Sequence, residues 1–111
     1  MNRIPISPAA GALLRALIAR AGVTRNRILL SESESVDWRS LTLTGERHQL
    51  QLRIPGPDSR FIAERMCNGL EDAEFSIPGV IVADIGLMGP PSHALDGSTS
   101  VTIEALTVLA D

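Results

Sequence analysis

The chain has no lysine and no tyrosine, a single cysteine, and only three aromatic residues, Trp38, Phe61 and Phe75. One cysteine excludes an intramolecular disulfide framework and supplies at most one thiolate to a metal, which points to a reducing, cytoplasmic setting. Three aromatics offer too few stacking surfaces for a single-strand nucleic-acid binder. No apolar run approaches the roughly 20 residues of a membrane-spanning helix. The N-terminal stretch does not read as a secretory signal either, because Arg15 and Arg20 interrupt its apolar core. Catalytic and ligand-binding signatures are missing as well. There is no HExxH or CxxC pattern, no phosphate-cradling glycine loop and no nucleophile elbow, so no catalytic, cofactor-binding or metal residue is assigned from a motif.

What is present suits one domain spanning residues 1–111. A chain of this length buries roughly two-thirds of its unfolded surface without a covalent or metal staple. The net charge of −3 hides an asymmetry. Residues 1–31 carry five arginines (Arg3, Arg15, Arg20, Arg25 and Arg27) and no acid, whereas residues 32–111 set the other five arginines against all 13 acids. Arginines spread this thinly make a weak field, so the expectation is a solvated face or an arm docked on an acidic body, not a nucleic-acid patch.

Read in order, Ser7-Pro8 opens a helix, with serine as N-cap and proline at the first position, where a missing N–H costs nothing. Leu14, Leu17, Ile18 and Ala21 recur on one face, and Gly22 supplies the stop. Residues 26–31 read equally as strand or short helix, and Ser31–Ser35 as an exposed connection or edge. Val36–Leu43 and His48–Ile54 make a hairpin whose second strand alternates, with Leu50, Leu52 and Ile54 inward and Gln49, Gln51 and Arg53 outward. Pro57-Asp58-Ser59 opens a second helix with Phe61, Ile62, Met66 and Leu70 as its apolar stripe, closed by Asn68-Gly69. Two apolar, β-branched runs, Val80–Met88 and Val101–Leu109, then form a long hairpin across the Gly89–Ser100 loop.

The order helix, hairpin, helix, hairpin predicts an α+β two-layer sandwich, with a mostly antiparallel sheet of four to five strands and both helices on one face. Moving the last strand to the front turns it into the ferredoxin-like order. Strict alternation places Val80, Val82 and Met88 opposite Ile81, Ala83, Ile85 and Leu87. The sheet is then apolar on both sides there, which predicts a homodimer.

Four groups of residues invite chemistry. Asp84 and Glu104 each interrupt an apolar strand. A hairpin symmetric about its loop sets them face to face, a pair that a cation or a shared proton would have to reconcile. Residues 17–31 resemble a helix-turn-helix through the Gly22 turn and Ile28, with Thr24–Arg27 leading a recognition helix, although Ile18 stands where a small residue is expected. His48 and His93 are expected at the surface, and Cys67 as an inert thiol. Trp38 is expected in the core.

The segments Trp38–His48, Phe75–Leu87 and Gly97–Val108 resemble a group of small bacterial proteins with no assigned function. That resemblance implies a compact stand-alone domain and carries over no active site. The leading expectation is a dimeric binding or protein-interaction module, its small-molecule or protein partner unspecified. Behind it stand a small enzyme or metal-binding protein using Asp84 and Glu104, and a DNA binder through residues 17–31.

Overall fold

The structure is a computed structural model describing residues 5–110, so Arg3 of the basic arm lies outside the described residues. Helix α1 spans Pro8–Ala21. It begins where the Ser7 hydroxyl accepts from the Ala10 N–H at 3.2 Å and ends at Gly22, whose φ of 73° is the left-handed conformation that only glycine adopts without cost. Its buried face is Ala10, Leu13, Leu17 and Ala21, with Leu14 and Ile18 flanking, so the stripe sits one position round from the expected one.

A single 3-10 turn, Arg25–Arg27, leads into β1, Leu29–Arg39. The ambiguous residues 26–31 therefore divide, ending the 3-10 turn at Arg27 and entering the strand at Leu29, and Ser31–Ser35 is part of that edge strand. Strand β2, Thr44–Ile54, returns antiparallel, and helix α2 follows at Ser59–Cys67. Strands β3 (Val80–Leu87), β4 (Ser92–His93) and β5 (Thr99–Leu109) complete the chain. The sheet runs β1-β2-β5-β3, antiparallel throughout, with β4 paired to the start of β5. Taking β5 as the first strand reproduces the ferredoxin-like sheet order.

Ala10, Leu13 and Leu17 of α1 and Ile62, Ala63 and Met66 of α2 pack in one cluster with Leu50, Leu52, Ile54, Val101 and Ile103 from one face of the sheet. Each leucine, isoleucine, valine or methionine side chain so removed from water contributes about 1.5–3 kcal/mol, which is what holds two short helices to the strands. Phe61 does not join this core: it stands outward on α2, 59% exposed. Among the described residues no helix is long and apolar enough to cross a membrane.

Two of the N-terminal arginines, Arg20 and Arg27, dock on their own chain at the two ends of α2. Arg27 pairs with Asp58 just before the helix. Arg20 Nε donates to the Met66 carbonyl at 3.0 Å, and its guanidinium also reaches the Asn68 carbonyl. Those carbonyls are among the groups a helix C-terminus leaves without partners, and an arginine answers both their hydrogen bonds and the local negative potential.

Candidate functional site

Two surfaces gather chemistry-bearing side chains: the open face of the sheet, and a cleft beside α2.

The open face follows from the register. Side chains paired across neighbouring strands share a face, and the rows turned away from the helices are Trp38–Gly45–Val108–Ile81, Val36–Arg47–Leu106–Asp84 and Glu34–Gln49–Glu104–Gly86. Asp84 and Glu104 therefore share the open face but do not meet. A β-bulge between Val82 and Asp84 inserts one residue, so Asp84 pairs with Leu106, and Glu104 with Gly86 and Gln49. They are diagonal neighbours, a placement that separates Cβ atoms by about 7–8 Å. They line a hollow of about 210 Å³ with Glu34, Val36, Arg47 and Gln49. Among the described residues no three histidine, cysteine or carboxylate groups converge as a metal site requires. The symmetric pairing on which a metal or acid–base pair depended is absent.

The same bulge corrects the two-sided apolar strand. Past the extra residue the alternation resets, so Val82, Ile85 and Leu87 all pack toward the helices. Ile81 and Asp84 are left on the open side. Trp38, expected in the core, lies on that open side too, half-buried and cross-strand from Gly45. The end of the open face nearest the β1–β2 turn is thus apolar: Val36 is 49% and Ile81 54% exposed. The other rows are charged or amide-bearing. Arg47 sits among three carboxylates, yet makes no ion pair with a described residue.

The helix-turn-helix resemblance does not survive the fold. Arg25–Arg27 form one 3-10 turn, and Leu29 already belongs to a strand, so no recognition helix follows Gly22.

His48, expected at the surface, is only 3% exposed and faces the helices. Its Nδ1 is 2.7 Å from the Ser35 hydroxyl and its Nε2 2.8 Å from that of Thr107, so both ring nitrogens are satisfied across three strands. Burial lowers its pKa below the ordinary histidine value, against a smaller opposing pull from the Glu46 carboxylate. The alternation of β2 could have revealed this, since His48 is in phase with Leu50, Leu52 and Ile54.

The second surface is a cleft of about 600 Å³ between α2 and β4, bounded by Arg60, Phe61, Glu64, Cys67, Pro91 and His93 among others. Cys67 is half-buried, and that burial raises its thiol to about 11, with Arg20 pulling weakly the other way. The group is a neutral thiol, as expected of an inert cysteine. Behind the cleft His93 Nδ1 lies 3.0 Å from Thr99 Oγ1, which lies 2.8 Å from Ser59 Oγ, which in turn donates to the Gly97 carbonyl at 2.6 Å. Sequence reasoning missed this chain by taking Gly89–Ser100 as one flexible loop. The Asp96-Gly97 dipeptide was the available signal, since that pair favours a tight turn that returns the chain on itself. Here it does so, pairing His93 with Thr99. Asp96 anchors the turn: it accepts from the Ser98 hydroxyl at 2.6 Å and the Ser98 N–H at 2.9 Å, and pairs with Arg53 at 2.8 Å. These partners, the Ser98 hydroxyl first, hold its carboxyl down at about 2.

Comparison of the chain with protein-family models, with curated proteins and with solved structures returns no match.

Proposed function

We propose that this protein is a small homodimeric interaction module whose two copies meet through the open face of the sheet. The observation that carries the reading is the apolar end of that face, where exposed Ile81 and half-buried Trp38 flank the buried Val108 in one row, and exposed Val36 and half-buried Leu106 follow in the next. A sheet face left partly apolar is the surface that association covers, and a contact between two copies of the same patch closes on itself without propagating. The charges suit such a contact. Arg47 lacks an ion partner among the described residues, and an isologous contact presents each copy's Arg47 to the carboxylates of the other. A single cysteine that stays a thiol is compatible with a reducing, cytoplasmic setting.

Sedimentation velocity over a wide concentration range tests the reading. The expected species has twice the 11.9 kDa chain mass. Val36→Lys/Ile81→Lys is expected to give a folded monomer, while Phe61→Lys, on the helix side, leaves the dimer intact. A wild-type protein that stays monomeric at the highest concentration reached, or a double variant that still dimerises, overturns it.

A further inference from the structure

The hydroxyl chain behind the α2–β4 cleft has one consistent order of protons. Gly97 O is a carbonyl and only accepts, so the one Ser59 proton goes to it. Ser59 Oγ therefore accepts from Thr99, whose own single proton is thereby used. The remaining contact is donated by Nδ1–H of His93 into Thr99 Oγ1. Thr99 is fully buried and Ser59 2% exposed, so water does not replace either partner. In its neutral form the imidazole carries one N–H. Its Nε2 then bears a lone pair at an exposed residue on the wall of the cleft.

The rest of that wall is cationic and apolar. Arg60 and Arg65 face one carboxylate, Glu64, and neither arginine makes an ion pair with a described residue. The cleft thus holds an excess positive charge on a body that is otherwise acidic, and a concave site of one sign concentrates ligands of the other. Phe61, with the Arg65 guanidinium 5.7 Å from its ring centroid, and Pro91 supply apolar surface. The volume of about 600 Å³ falls within the range of small-molecule sites.

We propose that this cleft binds a small hydroxycarboxylate with an apolar body. The carboxylate faces Arg60, the hydroxyl donates to His93 Nε2, and the apolar part lies against Phe61 and Pro91. Thr99 and Ser59 act as positioning residues that fix which imidazole nitrogen is free.

Nitrogen-15 NMR of the full chain tests both halves, with mandelate as the probe and phenylacetate, which lacks only the hydroxyl, as its control. Neutral His93 is expected as the Nδ1–H tautomer. Mandelate is expected to shift resonances of α2 and β4, and phenylacetate to bind about tenfold more weakly, the loss of one hydrogen bond to a well-placed acceptor. Thr99→Val is expected to abolish the tautomer preference and narrow the gap between the two acids, and Arg60→Gln to weaken both. The wild-type tautomer measurement needs no variant to fold. An Nε2–H tautomer, no mandelate binding, or equal affinity for the two acids overturns the proposal, whatever the oligomeric state.

Discussion

His48 shows how one residue is set by its neighbours. It occupies a core-facing position of β2, held by Ser35 on one side and Thr107 on the other. Hydrogen bonds at both nitrogens make a buried neutral imidazole tolerable, since its polar atoms are not orphaned. Protonation there costs desolvation, so the folded state binds the proton less readily than the unfolded chain. Stability from this group is therefore complete above the unfolded histidine value of about 6.5 and falls as pH drops below it toward the depressed folded pKa. We expect the wild-type unfolding free energy to decline as pH falls below about 6.5, with a slope bounded by about 1.4 kcal/mol per pH unit for one proton. His48→Gln should be less stable at neutral pH yet lose most of that slope; urea unfolding at several pH values reads both. The position was legible in the alternation of β2, which places residue 48 in phase with Leu50. The two hydroxyls were not, because Ser35 and Thr107 reach His48 only through strand pairing.

Among the elements, the central pair β2 and β5 tolerates least. Gly45 faces Val108 across that pair, and a Cβ added at residue 45 would lie 1.9 Å from the Thr107 carbonyl oxygen. A backbone atom cannot swing aside as a long side chain can, so the strands would have to separate. Gly45→Ala is expected to cost about 3 kcal/mol, at the upper end of overpacking penalties, measured by denaturant unfolding. Gly79→Ala offers a contrast: nothing lies within 4 Å of its added Cβ, and only its positive φ of 81° resists the change. It should cost about 1 kcal/mol. The helices were readable at this scale because caps are local: serine before proline, then glycine at a left-handed turn. Strand β3 was not. A bulge is one extra residue accommodated by a partner strand, and no turn residue marks Ala83, where it falls; the one glycine of the strand, Gly86, lies beyond it. That one residue turned Asp84 out of register with Glu104 and sent Val82 to the same side as Ile85.

For the molecule as a whole, strand order has a consequence for chain connectivity. The end of β5 and the start of α1 lie close enough that Ala9 and Leu109 line one hollow. If the architecture is a ferredoxin-like sandwich opened at a different connection, relocating the break should leave the packing unchanged. A permutant with its termini joined by a short glycine-serine linker and opened between Ala94 and Leu95, where Leu95 is fully exposed, is expected to fold to the same sheet. Amide spectra and cooperative thermal unfolding check this; a molten or aggregated product argues that the native connection is required.

Composition, capping residues and hydrophobic period by themselves determined the layers: two helices, two hairpins, one wet face, and no disulfide framework. Each of these depends on residues adjacent in the chain, and the physics that selects them acts over one helical turn or one strand pair. Tertiary structure alone decided what meets what. Hydrogen bonding from β1 through β2 and β5 to β3 set the rows of the open face, gathering Val36 and Trp38 of β1, Val108 of β5 and Ile81 of β3 from three strands distant in sequence. The packing of α2 on β5 brought Ser59 to Thr99 and so fixed the proton order at His93. Such pairings depend on register, and a shift of one residue exchanges the faces of a strand without altering its composition.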